Sequence, residues 1–424
     1  MISSVFRSFV TMRFSLLPAV VLSLSVVAHA GDWPQFLGPD RTGISDETGL
    51  IDSFPAAGPV IVWRAPLGVG MSSLAIHEGT AFTMYQDADN QFVAALDVKS
   101  GKTKWTTAVA PSYRNSMGNG PRATPTVHKG LVYSYSGEGI LAALDEASGD
   151  IVWSANTPKK HKGRAAEYGI ASSPLISGDS VVVQVGAPNA AVVAFDLKTG
   201  ETNWTAGQGN SGYSSPALLT LAGKQQIVAF VGAAVLGIDP ASGEQLWRYA
   251  YVTDYDCNTA TPILIDNASV LISAGENHGS TILEISRDAN SFRATSSWSS
   301  LGKGSVLRAE WQTPALADGY VFGLDNVGSA GPITNLVCVR VADGEQLWAK
   351  TRFGKSNLTL ADGKLFISTM KGELVIVSAS TSGFTESARA PVLGMTRQAP
   401  VISNGRLYLR DDREVVCIDV RAAE

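Results

Sequence analysis

The chain has 424 residues, 45% hydrophobic and only 17% charged, enough apolar material for a large buried core and too much for a disordered chain. Its 33 Lys and Arg face 38 Asp and Glu, a net charge of −5, and that acidic balance argues against a nucleic-acid partner. Three Cys and five His, none at C-x-x-C, H-E-x-x-H or i, i+4 spacing, point to no metal site.

Taken in chain order, residues 1–30 read as a secretory signal. Arg7 and Arg13 supply the positive start, Phe14 to Ala28 an apolar run, and Ala28-His29-Ala30 a small-x-small cleavage pattern. The run is shorter than the roughly 18 to 20 apolar residues of a spanning helix. Cleavage after Ala30 leaves Gly31 first, with 31 basic against 38 acidic side chains, net −7. The expected product is exported, periplasmic or extracellular, with no integral membrane segment. Residues 31–58 form a lead expected to be extended. Pro59 to Arg64 reads as an orphan outer strand carrying Trp63.

From residue 59 to 424 a repeat organises the chain. AALDVKSGKTKW ends at Trp105, AALDEASGDIVW at Trp153, VAFDLKTGETNW at Trp204, LGIDPASGEQLW at Trp247 and VCVRVADGEQLW at Trp348. With Trp63 and Trp298 the spacings are 42, 48, 51, 43, 51 and 50 residues, the period of a four-stranded propeller blade. Upstream of these phrases runs a hairpin phrase, as in ATPTVHKGLVYSYS from Ala123 or APVISNGRLYLR from Ala399, with alternating apolar residues around a Gly turn. In the fifth copy Asn267 replaces that Gly and is expected at positive φ. Each unit therefore reads strand A, turn, strand B, loop, strand C, a D-x-x-[ST]-G turn and strand D ending in Trp. Asp97, Asp145, Asp196 and Asp239 repeat with the scaffold and are assigned to turn bonding, and the Trp to packing between blades.

Eight strand-A phrases are present, near Leu74, Pro125, Pro174, Pro216, Pro262, Pro314, Leu358 and Pro400. The eighth unit has no outer strand after Asp419, so pairing it with Pro59 to Arg64 closes the ring and hides two sheet edges. The fold class is all-β, an eight-bladed propeller with four antiparallel strands per blade. Cys338 and Cys417 share the register of Ala95, Ala143 and Ala194 with a blade between them, and Cys257 lies in a connector, so three free thiols are expected.

The A-x-D-x-x-[ST]-G-x-x-x-W phrase is similar to the repeat of PQQ-dependent dehydrogenases and of BamB, the outer-membrane assembly factor. The lead Asp32-Trp33-Pro34-Gln35-Phe36-Leu37-Gly38-Pro39 resembles the opening of exported bacterial PQQ-repeat proteins. The resemblance implies a quinoprotein-like fold and two functions: a BamB-like binding or scaffold protein with a protein partner, or a quinoprotein oxidoreductase of the alcohol or sugar dehydrogenase kind, using PQQ with calcium. Two departures matter. The lipid-bearing cysteine of BamB-like proteins is replaced by Ala30-Gly31, and the adjacent-cysteine disulfide of the enzymes is absent, since Cys257, Cys338 and Cys417 are far apart.

Residues that repeat serve the scaffold, and those that differ at one register are candidates for function. Three places before the strand-A Pro the blades carry Met71, Arg122, Ala171, Tyr213, Thr259, Trp311, Lys355 and Arg397. The bases gather on one side of the ring, and opposite them the connectors of blades five and six bring Asp254, Asp256, Asn258, Arg308 and Glu310. With Tyr168, Tyr213 and Trp311 for stacking, this mouth suits a small anionic or zwitterionic planar ligand. The competing expectation is that the two arcs neutralise each other. No catalytic set can be assigned. The run Lys159 to Arg164 is expected as a solvated loop.

Overall fold

The computed structural model describes Met1 and residues 31–289, 291–328 and 333–422. The expected signal segment, residues 1–30, lies outside the described residues apart from Met1. Among the described residues eight sheets are arranged as blades, with strand A innermost, beginning at Ala75, Thr126, Leu175, Ala217, Ile263, Ala315, Ser356 and Val401 in turn. Within each blade the strands are antiparallel neighbours in the order A, B, C, D.

The blades stand because their B and C strands are apolar on both faces. In blade three, Val181, Val183 and Val185 pack toward blade two while Val182 packs toward blade four, so alternate side chains of one strand enter different cores. The buried hydrophobic residues fall into eight clusters, each between two neighbouring blades. The A-to-B turns are two-residue turns with both central residues at positive φ in most blades, as at Lys129 and Gly130 (φ 50° and 77°), the geometry that matches strand twist. In blade five Asn267 is not at positive φ. There the Asp266 carboxylate accepts from the Ala268 N–H, and this side-chain bond shapes the turn in place of a left-handed residue.

The outer strands show how the repeated Trp works. Each D strand carries a register shift beside its Trp position, for example between Ile151 and Trp153, and between Gln245 and Trp247. The bulge lays the ring over the next blade. A Cβ on Gly101 would lie 2.6 Å from Trp63, and one on Gly149 2.6 Å from Trp105, so the turn glycine is also the floor on which the preceding blade's indole rests. The indole N–H then donates to a carbonyl of that next blade, Trp63 to Val98 and Trp153 to Leu197, both at 2.9 Å. Blade five lacks the D-x-x-[ST]-G phrase, and Trp247 of blade four donates instead to Gln226 of its own blade at 2.6 Å. In blade seven Ala388 holds the Trp register. The Asp of each turn accepts backbone N–H groups, as Asp196 does from Lys198 and Thr199.

The ring closes as the sequence requires. Val60–Pro66 pairs antiparallel with Glu414–Asp419, with Trp63 opposite Cys417, so the first strand of the domain completes the last blade. All three cysteines are free, and Cys338 and Cys417 are fully buried at the register of the alanines.

Two expectations are corrected. The lead is not extended: it winds through successive turns over residues 36–41 with Leu37, Gly38 and Arg41 at positive φ. It crosses the face of the A-to-B turns, bridging Trp33 to Ile76, Pro34 to Val127, and Ile44–Ser45 in parallel to Leu360 and Ala361. Lys159 to Arg164 is not simply a loop, because Thr157–His161 is a short helix capped by Asn156, with Pro158 in its first turn. No helix among the described residues is long and apolar enough to cross a membrane.

Candidate functional site

The strand-A starts converge on the axis and line a half-open cavity of about 170 Å³. Its upper tier is the register singled out above. Met71, Arg122, Ala171, Tyr213, Thr259, Trp311 and Arg397 all line it, joined from the connectors by Met117, Tyr168 and Cys257.

A second tier was missed. The residue immediately before the strand-A Pro is a hydroxyl or small polar residue in most blades, and Ser73, Thr124, Ser215, Thr313 and Asn357 ring the cavity below the first tier. They are wired to one another: Thr124 N–H donates to Ser173 Oγ, Ser173 N–H to Ser215 Oγ, both at 2.9 Å, and Ser73 N–H to Thr124 Oγ1 at 3.2 Å. The signal was present in the phrases ATP, SSP and QTP. Being repeated, it belongs to the scaffold: these hydroxyls satisfy backbone donors that would otherwise be buried unpaired at the axis.

The lower end is reached by Phe36 from the lead. Five residues on, Arg41 is fully buried and donates to the carbonyls of Pro174 and Ser173 at 2.9 and 3.1 Å, and burial pulls its pKa down to about 9. The lead therefore stops the axis from the far face.

The charged groups are not arranged as two facing arcs within the cavity. Among the described residues that line it there are two arginines and no Asp or Glu. Arg122 lies 4.8 Å from the Tyr113 ring and donates to the carbonyls of Gly120 and Gly118 at 2.5 and 2.7 Å. Burial lowers its pKa to about 10, with Arg397 contributing in the same direction. Arg397 places its guanidinium 5.0 Å from the Trp311 ring centre and donates through Nη1 to the Met117 carbonyl. Its Nε is buried without a hydrogen-bond partner among the described residues. Lys355 sits 4.0 Å from the same ring and 2.9 Å from Glu310 Oε1. Burial raises the pKa of Glu310, Lys355 opposes that shift, and Glu310 Oε2 has no partner among the described residues. Tyr168 stacks on Tyr213 with ring centres 5.9 Å apart.

Five expected site residues do not line the cavity: Lys355 and Glu310, paired as described, and Arg308, Asn258 and Asp256. Arg308 turns away into a buried pair with Asp325 at 2.6 and 2.7 Å, where a carboxylate compensates its charge. Asn258 is fully buried and donates its amide to the Val231 and Gly232 carbonyls, fixing its own connector. Asp256 accepts from Asn210 at 2.8 Å. Tyr255, Asp256 and Trp311 in those connectors all hold positive φ.

The fit to PQQ with calcium can be tested on the donor set. Asp254 stands 3.7 Å from His278, Asp256 bonds Asn210, Glu310 pairs with Lys355, and among the described residues no three His, Cys, Asp or Glu side chains gather as metal ligands. The residues at the mouth do not fit a calcium-bridged quinone. Cys257, its pKa pushed up to about 12 by burial, stays a neutral thiol.

The family model described as outer membrane protein assembly factor BamB matches residues 89–350 and 334–424. The BamB of Yersinia pestis is 25% identical over 200 residues, 44% of this chain and 47% of that protein. This chain thus spans less than half the length of that relative. The crystal structure of the quinohemoprotein alcohol dehydrogenase from Comamonas testosteroni matches with a TM-score of 0.69 at 16% identity, covering 94% of this chain and 82% of that one. BamB from Moraxella catarrhalis matches with a TM-score of 0.56 at 15% identity, covering 85% and 99%. At such identities the two structures attest the fold.

Proposed function

Since the chain belongs to the family described as outer membrane protein assembly factor BamB, we propose that it is an exported binding propeller whose axial mouth receives a carboxylate attached to an apolar, planar body. One observation carries this. Arg397 spends Nη1 on the protein, its Nε is buried without a partner among the described residues, and its guanidinium borders an aromatic cavity in which no carboxylate is among the described lining residues. A guanidinium with no carboxylate beside it is matched by a charge-assisted hydrogen bond to a carboxylate oxygen. Trp311, Tyr213 and Met71 offer apolar surface for the remainder of the ligand. The connector face around the mouth, where Met117, Tyr255 and Met395 are exposed, is the surface on which a protein partner would act.

The proposal places the protein outside the cytoplasm, cleaved after Ala30. It is consistent with Gly31 being held in place, since a Cβ there would meet the Asn404 side chain and its carbonyl accepts from Ser403. N-terminal sequencing of exported material should begin at Gly31.

The binding test is calorimetric titration of the exported chain with benzene-1,3-dicarboxylate and with PQQ plus calcium. A charge-assisted hydrogen bond shielded from water is worth about 1.5 to 3 kcal/mol. Arg397→Ala should therefore weaken dicarboxylate binding roughly ten- to a hundredfold with little change in melting. No heat with either titrant, together with a destabilised variant, would remove the site. Heat only with PQQ and calcium would favour the oxidoreductase reading.

A further inference from the structure

We infer that Phe36, delivered to the axis by the lead from the far face, is the floor that sets which ring size the axial site accepts, a single aromatic ring rather than a fused system. The inference rests on the binding proposed above. Its own evidence is separate.

Phe36 is half-buried, as are Pro34 and Gln35 before it, between the buried anchors Trp33 at 3% exposed, Leu37 at 5% and Arg41 at 6%. A phenylalanine left partly uncovered between buried anchors has an uncovered surface to account for, and here that surface borders the axial cavity. An apolar cavity of about 150 Å³ holds one benzene ring. The axial cavity, at about 170 Å³, is of that size. Phe36 and Arg397 line this same cavity, so a larger body seated on Arg397 has the Phe36 ring among the side chains that limit its room.

The lead does not depend on Phe36 for its place. The Trp33 and Ile76 backbones exchange two hydrogen bonds of 2.8 Å, Arg41 is clamped on two carbonyls of blade three, and the Gly43 carbonyl accepts from Leu360 N–H at 2.9 Å. Truncating Phe36 thus deepens the cavity while the anchors hold the chain. Because the floor comes from a segment outside the repeat, its size can vary independently of the blades.

The experiment compares the wild-type exported chain with Phe36→Ala, Phe36→Leu and Arg397→Ala by calorimetric titration. The two probes are benzene-1,3-dicarboxylate and naphthalene-2,6-dicarboxylate. Wild type should bind the single-ring probe at least tenfold more tightly, the scale on which an apolar pocket discriminates by size. Phe36→Ala should abolish or reverse that preference, with Phe36→Leu intermediate, while Arg397→Ala weakens both probes in proportion. An unchanged preference in Phe36→Ala overturns the floor assignment and leaves the binding site standing. Equal weakening of both probes in Phe36→Ala also overturns it, since Phe36 then only holds the lead. Absence of heat from both probes with the wild type and the Phe36 variants overturns the inference and the binding proposal together.

Discussion

Replacing Trp63 by Ala should open the ring where the first and last blades meet. The indole is 8% exposed, lies 5.9 Å from the Tyr408 ring, rests on Gly101 and donates to the Val98 carbonyl at 2.9 Å. Truncating a buried Trp to Ala costs about 3 to 5 kcal/mol through lost burial and the cavity left behind. The unpaired carbonyl accounts for about 1 kcal/mol or more of a similar kind. Trp348, in the same register of blade six but only half-buried, should cost less, which supplies an internal comparison. A double-mutant cycle sharpens the claim. Gly101→Ala adds a Cβ 2.6 Å from the indole at φ 70°, so its cost combines a clash with left-handed strain of about 1 to 2 kcal/mol. In the Trp63→Ala background the clash vanishes and only the strain remains. Urea unfolding followed by both fluorescence and circular dichroism gives the free energies, provided the two transitions coincide. A loss under about 1 kcal/mol for Trp63→Ala, or one no larger than that of Trp348→Ala, would refute the reasoning.

Arg308→Leu leaves Asp325 as a buried, uncompensated carboxylate and should cost about 3 to 5 kcal/mol, whereas Arg308→Leu combined with Asp325→Leu should recover most of it; denaturant midpoints decide. Asp239 is held down to a pKa of about 2, first by its hydrogen bond to Lys224 and then by its turn N–H groups, against an ordinary 3.8. Its contribution to stability is complete above the ordinary value and is lost as pH falls toward 2, so the stability gap between wild type and Asp239→Asn should shrink over that window in acid melts. Thiol titration of denatured, unreduced protein should give three thiols, and one thiol would show a disulfide that the register of Cys338 and Cys417 forbids.

What could be read from the sequence is what repeats. The blade count, the closure through Val60–Pro66 and the first tier of the cavity all follow from register, because a strand that alternates between two cores has little freedom to slip. Arg122, Tyr213, Trp311 and Arg397 were placed at the axis by that logic alone. The failures lie where register ends. Arg308 and Asn258 sit in connectors, where no periodicity announces the positive φ of Asp256 and Trp311 or the buried bonds of Arg308 and Asn258. The lead occurs once, so its coil under the axis and the arrival of Phe36 had no repeat to betray them. The hydroxyl belt was overlooked for the opposite reason: it repeats so evenly that it read as part of strand A.

The pairing of Val60 with Asp419 also sets an order of events. Blades one to seven can each be completed as the chain emerges, but the eighth must wait for Glu414–Asp419, while Val60, Ile61 and Val62 wait as an open apolar edge. An unpaired strand edge invites association with other chains, and non-local pairing is slow to form. During synthesis the vulnerable species is therefore a ring still lacking Glu414–Asp419, the strand that pairs with Val60–Pro66. Chains ending before Glu414 should accumulate as aggregates or protease fragments rather than as slightly weakened propellers, which sedimentation of such truncations would reveal.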